Sequence, residues 1–509
     1  MRADFRWLIP LGSGKVILHL PYPGFAVFQQ LPSAEICQRA RMSRDARFDG
    51  LFFTGVFSTG IYCRPICPAA APKEENVRYF ASAQAAAAAG LRPCLRCRPE
   101  SAPGSSPWRG TATTLFRAMA LIDAGALNAT DDETYQPAQT QAQAMESLAE
   151  RVGVGSRYLR KLFGEQLGMS PKAYGDYRRL LLAKALLHQT SLPITDVAFA
   201  AGFGSVRRFN EVFRERLSLT PSAIRADSKV KDSGICLQLS FRPPYDFMRL
   251  RAFFMARAIP GAEWFFNDAG EPCYGRTLMV AGDAGWFEAC LLAGKNALAV
   301  SIFPGGRVSA LSQWLAEIKR VLDIDANLSL IHEHIQGHMP EGVVLNTMTL
   351  PGAGSFFEAA CRAVLGQQVS LVQATRLLGL LTAETTPEVE LGGRRCRVFP
   401  TAEQVASATL ESLKMPGSRK NALRDMAALF SRDPVPDDAT LLAVKGIGPW
   451  TVSYARMRGL SDPDVLLVGD LVVKQKLTAM GWAKVPDRLK SDVSPWGSYL
   501  TLALWHTEI

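Results

Sequence analysis

The chain has 509 residues, 48% of them hydrophobic and 20% charged, with a formal net charge of +10. That length exceeds what one hydrophobic core can organise and calls for about three or four domains, while the composition excludes wholesale disorder. The basic excess favours a polyanionic partner, and no apolar run reaches the roughly 20 residues of a membrane span, so a cytoplasmic protein without a membrane partner is expected.

Residues 1–33 are partly apolar but are broken by Pro10, Gly12, Gly14 and Lys15. With no A-x-A-type cleavage site they read as neither signal peptide nor span. An extension, or a misplaced start codon, is the expectation. The first convincing helix is SAEICQRARM, and AQAAAAAG is a second one stopped by Gly90. Polar stretches rich in Pro, Gly or Ser (SAPGSSPWRG, NATDDETYQPAQTQAQ, ADSKVKDSG) predict breaks near residues 104 and 228, with a less distinct one near 350.

Four of the ten cysteines cluster in sequence: Cys63 and Cys67 in IYCRPICP, Cys94 and Cys97 in RPCLRCRPE. Two close pairs on turns fixed by Pro65 and Pro93 read as one tetrahedral zinc site before any disulfide. A chance grouping of buried thiols is the alternative. The stretch from FDGLFFTGVFSTGIYCRPICP to RPCLRCRPE resembles the N-terminal zinc domain of the Ada adaptive-response proteins over about residues 34 to 100. The resemblance implies that Cys63 accepts a methyl group from a DNA methylphosphotriester, and that Thr59, Arg92 and Arg96 touch the DNA backbone. A further family arginine falls on Ala70. A zinc-bound thiol stays deprotonated and nucleophilic. Four thiolates on Zn²⁺ carry a formal charge of about −2, and methylating one leaves about −1, which lessens repulsion from phosphate. A purely structural zinc module is the competing reading.

Two helix-turn-helix patterns follow, MESLAERVGVGSRYLRKLFGEQLGMSPKAY and LPITDVAFAAGFGSVRRFNEVFRERLSLTPSAIR. Ser156 and Ser205 are expected N-caps of the two groove-entering helices. Residues 111 to 226 resemble the AraC-type DNA-binding domain. Candidate groove-facing residues are Arg157, Arg160 and Lys161, then Arg207, Arg208 and Asn210. Arginine and asparagine suit bidentate base contacts, and lysine suits phosphate. For each of them singly, a solvated helix face is an equal alternative.

Beyond residue 234, LQLSFRPPYDFMRLRAFFMARAIPGAEWF passes from strand alternation into a helix, and TLMVAG, FEACLLAG and ALAVSIF read as strands. SFFEAACRAVLGQQVSLVQATRLLGLL, SATLESLKM, ALRDMAALF and ATLLAVKGIGPWTVSYARMRGL predict helices. His332, His334 and His338 read as an exposed turn, with a second metal site as the alternative. The cysteines of this half lack the close spacing of an iron–sulfur cluster.

Gly446, Ile447 and Gly448 form a hairpin that lets phosphate oxygens approach backbone N–H groups at a helix start. With Asp470 downstream, PPYDF, RAVLGQQVS and PWTVSY, residues 236 to 506 resemble the helix-hairpin-helix glycosylases, most closely the AlkA-type alkylpurine enzymes. The resemblance implies that Asp470 is catalytic, although Val468 and Gly469 replace the usual Pro-Asp before it. It also places the DNA wedge on Gln368, where some members carry leucine. Glycosylases that nick the strand place a lysine after the hairpin. Trp450 stands there, so a monofunctional enzyme is expected. Trp450, Tyr454 and Trp505 would line an aromatic pocket for a flipped cationic base, ordinary core packing being the alternative.

The expected fold class is multidomain α+β. A small four-cysteine zinc domain (34–104) precedes an all-α double helix-turn-helix domain (105–227). An α/β subdomain (228–348) then leads into an all-α helix-hairpin-helix glycosylase domain (349–509). No PCHR-type motif is present, so no O6-alkylguanine transferase domain is expected. The expected function is a DNA-alkylation sensor, activator and glycosylase acting on damaged duplex and promoter DNA. Zn²⁺ is the expected cofactor, with a monovalent cation at the hairpin, and RNA polymerase a further partner. The alternative is a transcription regulator whose glycosylase-like half only grips DNA.

Overall fold

A computed structural model of the chain describes residues 8–11, 14–17, 31–45, 48–49, 51–81, 83–94, 96–97, 114–128, 141–226, 235–340, 342–481 and 486–507. Most of the 1–33 extension and of the three polar linker stretches lies outside the described residues.

After the two-stranded hairpin β1 (Leu8–Leu11) and β2 (Gly14–Ile17), helix α1 (Ala34–Ser43) opens the first compact unit. Its N-cap is Ser33, whose hydroxyl accepts from Ile36 N. Strands β3 (Phe53–Val56), β4 (Ile61–Cys63), β5 (Val77–Phe80) and β6 (Arg92–Pro93) form a sheet in the order β5-β3-β4-β6, with α2 (Ala83–Ala88) before the last. The parallel register Ile61↔Arg92 and Tyr62↔Pro93 runs straight into Cys63 and Cys94, which brings the two cysteine turns together.

Helices α3 (Thr114–Asp123), α4 (Gln141–Arg151), α5 (Ser156–Leu167), α6 (Pro171–Gln189), α7 (Ile194–Ala200), α8 (Val206–Leu217) and α9 (Pro221–Ala226) form the second unit. Each of the pairs α4–α5 and α7–α8 is a helix-turn-helix, and α6 joins them. Ser205 caps α8 as expected, accepting from Arg208 N at 3.2 Å. The Ser156 expectation is corrected. Gly155 is the N-cap of α5, without a side-chain cap, and the Ser156 hydroxyl instead donates to Glu146 at 2.6 Å.

The third unit begins with β7 (Ile235–Ser240) and α10 (Phe247–Met255), followed by β8 (Glu263–Asp268), β9 (Glu271–Val280), β10 (Asp283–Leu291) and β11 (Ala297–Phe303). They form one antiparallel sheet, β7-β11-β10-β9-β8. The β9–β10 register sets Cys273 opposite Cys290, and the two form a disulfide that spacing along the chain does not reveal. Helices α11 (Leu311–Leu322) and α12 (Leu328–Gln336) follow. His332 and His334 lie on α12 instead of an exposed turn, a correction. The His332 ring nitrogen meets the Thr347 hydroxyl at 3.3 Å, and His338 meets the carbonyl of His334 at 2.8 Å.

Helices α13 (Phe356–Gly366) and α14 (Leu371–Thr385), a small hairpin β12 (Val389–Leu391) and β13 (Arg394–Cys396), then α15 (Ala402–Ser407), α16 (Gly417–Phe430), α17 (Asp438–Leu442), α18 (Pro449–Gly459), α19 (Leu471–Ala479), α20 (Pro486–Val493) and α21 (Gly497–His506) complete the chain. SATLESLKM is not helical beyond Ser407, a third correction. Leu410 and Leu413 plug the core there, and side chains replace the helical bonding. Glu384 accepts from Glu411 N and Ser412 N, both at 2.9 Å, and Arg424 donates to the carbonyls of Ala408 and Thr409.

One apolar core runs from Leu180, Phe209 and Phe213 through Leu237, Phe287 and Trp314 to Tyr499 and Leu504. The second helix-turn-helix therefore shares one apolar core with the sheet. A separate core under Phe356, Leu377, Leu423 and Ile447 carries the hairpin. The buried acids Glu263 and Glu358 and the buried bases Arg276 and Arg362 fasten α13 to the sheet. Burial pushes the Glu358 carboxyl up, but Arg276 and Arg362 beside it prevail and hold it at about 2.

Candidate active site and metal centre

Helix α17 ends at Leu442, and the chain turns through Gly446, Ile447 and Gly448 into α18. Gly446 adopts φ +95°, and a Cβ there would stand 3.0 Å from that of Ala422, so the turn needs glycine. Ile447 is buried and anchors the turn, while Gly446 faces solvent. Gly448 is the N-cap of α18 and Pro449 its first residue. The side-chain amide of Gln367 donates to Gly446 O and to the Thr451 hydroxyl, both at 3.0 Å. This ties the end of α13 to the hairpin. Gln368, the next residue, stands exposed with φ +57°, a left-handed conformation rare for a side-chain-bearing residue.

Trp450 and Tyr454 lie one turn apart on α18 and stack with ring centroids 5.3 Å apart. Trp505, from α21, stands 6.4 Å from Tyr454. All three are half-buried. Asp470 joins them as the N-cap of α19. Its Oδ1 accepts from Val472 N at 3.0 Å, Val473 N at 3.2 Å and the Trp505 indole N–H at 3.1 Å. Its Oδ2 accepts from the Trp450 indole N–H at 3.2 Å. Capping α19 and meeting the aromatic group are thus one arrangement: the helix start fixes the carboxylate, and two indoles orient it. Oδ2, with a single donor, keeps lone-pair capacity for a further partner.

Cys63, Cys67, Cys94 and Cys97 converge so that their sulfurs all lie within 4.8 Å of one another, with Cys67 and Cys94 at 4.0 Å. A tetrahedral Zn²⁺ with Zn–S bonds near 2.3 Å needs sulfurs about 3.8 Å apart, so the four thiols fit the ion. Cys94 and Cys97 are buried, whereas Cys63 and Cys67 are reached by solvent. Arg64 N–H points at Cys97 Sγ at 3.3 Å, and the Arg64 guanidinium is fixed by a buried ion pair with Asp49. Thr59 and Arg96 are exposed beside the cluster and Arg92 is half-buried.

Arg157, Arg160 and Lys161 are exposed along α5, and Arg207 and Arg208 along α8, where Asn210 is half-buried. Lys161 faces Glu165 at 3.8 Å, and Arg207 meets Glu211 at 3.1 Å, both loose surface pairs. Tyr158, 54% exposed between the α5 basic residues, escaped the reading, which weighed only charged and amide side chains there. Gln367 and Arg458 were also missed, though the i+4 stripe from Trp450 passes through Tyr454 to Arg458.

Three family models match the chain: the metal binding domain of Ada over residues 36–100, a helix-turn-helix domain over 148–227, and the AlkA N-terminal domain over 236–355. A Mycobacterium tuberculosis (strain ATCC 25618 / H37Rv) protein described as "Probable bifunctional transcriptional activator/DNA repair enzyme AlkA" is 33% identical over 496 residues, 93% of this chain and 96% of its own. DNA-3-methyladenine glycosylase 2 of Escherichia coli (strain K12) is 31% identical over 288 residues, covering 53% of this chain and 96% of its own. The bifunctional transcriptional activator/DNA repair enzyme Ada of the same strain is 32% identical over 185 residues, 36% of this chain and 47% of its own. With 33% identity to the first of these over nearly the full length of both chains and all three domain types in order, the chain belongs to the AlkA family of bifunctional transcriptional activator/DNA repair proteins.

Proposed function

We propose that this chain senses and repairs DNA alkylation, with units at 34–104, 105–227, 228–348 and 349–509 and an extension at 1–33. The C-terminal half would act as a monofunctional glycosylase on alkylated purines such as 3-methyladenine. The observation that carries the reading is the Asp470 carboxylate, held by the indole N–H groups of Trp450 and Trp505 beside the stacked pair Trp450 and Tyr454.

In this reading the hairpin Gly446-Ile447-Gly448 grips a phosphate, and Gln368 fills the gap left by the extruded nucleotide. Ring faces stack on the base. Breaking the C1′–N bond builds positive charge on the sugar, and Asp470 Oδ2 offsets it or orients the attacking water. Trp450 stands where strand-nicking glycosylases carry their Schiff-base lysine, so the strand is left intact. The hairpin carbonyls would also accept a monovalent cation.

The N-terminal unit would accept a methyl group on Cys63. The S–CH₃ bond forms as the O–CH₃ bond of the phosphotriester breaks, leaving an ordinary phosphodiester. Zn²⁺ held by Cys63, Cys67, Cys94 and Cys97 supplies there a set of thiolates deprotonated at neutral pH. Thr59, Arg92 and Arg96 would hold the DNA backbone. Arg157, Arg160, Lys161, Arg207, Arg208 and Asn210 would read promoter DNA, from which RNA polymerase is recruited.

Chromatography of bases released from methylated duplex tests the enzyme, and mass spectrometry of the Cys63 peptide after exposure to methylated DNA tests the sensor. Free 3-methyladenine or 7-methylguanine, and a single added methyl on Cys63, are expected. An unmethylated Cys63 removes the sensor half, and absence of released base favours a regulator that only grips DNA.

A further inference from the structure

Helix α18 carries Trp450, Tyr454 and Arg458 at successive four-residue steps, so the three share one stripe. Arg458 is 1% exposed. Its Nη1 donates to the Tyr454 hydroxyl at 3.1 Å, and its Nε donates to the Pro351 carbonyl. The guanidinium carbon lies 5.8 Å from the Tyr454 ring centroid and 4.7 Å from that of Phe253. Arg257 stands over the same Phe253 ring at 3.8 Å. Two guanidinium groups therefore share one phenyl ring behind the wall of the aromatic cleft.

The neighbouring acids, Glu263 and Glu358, act on Arg458 but leave an excess of positive charge. Glu263 and Glu358 are engaged by Arg276 and Arg362, two negative charges with two positive. Among the described residues neither Arg257 nor Arg458 makes an ion pair. Burial pulls Arg458 below the ordinary guanidinium range and Arg257 down to about 10; arginine in a protein keeps its charge at neutral pH. The aromatic group thus has positive charge behind Tyr454 and the carboxylate of Asp470 on the indoles of Trp450 and Trp505.

We infer that Arg458 is a specificity-determining residue of the base cleft, whose guanidinium weakens the preference for cationic bases and favours neutral purine lesions. The inference rests on the glycosylase reading. A cationic base on the Tyr454 face meets repulsion that offsets its attraction to the ring. Departure adds to the effect. The electron pair of the C1′–N bond goes to the base, and water oxygen bonds to C1′ and releases its proton to solvent. A cationic base leaves neutral, whereas a neutral one leaves as an anion until solvent protonates it. Buried positive charge stabilises only the second.

The test is single-turnover release by the full chain from two duplexes that differ only in the target, 7-methylguanine or hypoxanthine. Their rate ratio is read on one preparation, so partial loss of folded protein cancels. Wild type is expected to release both. Arg458→Gln should shift the ratio toward 7-methylguanine on the order of tenfold, while Arg458→Lys, which keeps the charge, should shift it far less. Arg257→Gln removes the second charge without touching the Tyr454 hydrogen bond. It should move the ratio the same way, and it serves if Arg458→Gln does not fold. An unchanged ratio in the glutamine variants overturns the inference, as does a wild type that releases 7-methylguanine but no hypoxanthine. A wild type that releases neither base instead overturns the glycosylase reading beneath it.

Discussion

The ammonium of Lys184, buried on α6, donates to the main-chain carbonyl of Cys94, one of the four clustered cysteines, at 2.9 Å. Beside it the hydroxyls of Tyr62 and Tyr177 meet at 2.6 Å. On another side Arg242, from the β7–α10 connection, donates to the carbonyl of Asp49 at 3.2 Å, and Asp49 pairs with Arg64 next to Cys63. The metal turns therefore rest on the helix-turn-helix unit and on the sheet unit together. Lys184→Met leaves the Cys94 carbonyl without this donor, at a cost of about 1–3 kcal/mol. A lower melting temperature and faster loss of zinc to a chelator are expected. Unchanged zinc loss would show that the contact does not support the cluster.

Asp323 predicts a pH dependence of stability. It is buried, and burial pushes its carboxyl up to about 8 against hydrogen bonds from Leu350 N and the Tyr499 hydroxyl. Its folded value lies above the unfolded one of about 3.9. The stabilisation is therefore complete below the unfolded value and is lost as pH rises through the folded value. Melting temperature should fall from pH 5 to 8 and level off above. Asp323→Asn, which cannot ionise, should flatten that slope. Parallel slopes in the two proteins would rule out Asp323 as the source.

Gln367 predicts a defect in nucleotide extrusion without a defect in chemistry. Its amide holds the loop bearing Gln368 to the hairpin through Gly446 O and Thr451. Gln367→Ala frees that loop, and a misplacement of about 1 Å can cost on the order of 10²-fold. Release from a duplex should slow by about ten- to a hundredfold, and release from single-stranded substrate much less. Equal slowing on both would place the defect elsewhere.

Much of this architecture is legible locally. Cysteine spacing, glycine turns and apolar periodicity are properties of short windows, and they locate the metal cluster, both helix-turn-helix units and the hairpin. Asp470 with its three aromatics is legible through the resemblance of those windows to a known family. What escapes is set by contacts between distant residues. SATLESLKM carries helix-forming residues, yet Glu384 and Arg424 take over its backbone groups. Ser156 has the right chemistry for a cap but finds Glu146 instead. Cys273 and Cys290 meet only through strand register, and Lys184, Gln367 and Arg458 acquire their roles only once the chain has packed.

In the proposed mechanism the repair chemistry rests on Asp470. Asp470→Asn keeps an oxygen to cap α19 but removes the negative charge facing the cleft. Single-turnover release of 7-methylguanine by wild type and Asp470→Asn, at protein concentrations that saturate the duplex, is the most direct measurement. Wild type should release the base, and the variant should bind the duplex yet slow by at least about 10³-fold. Equal rates in the two proteins would contradict the glycosylase mechanism.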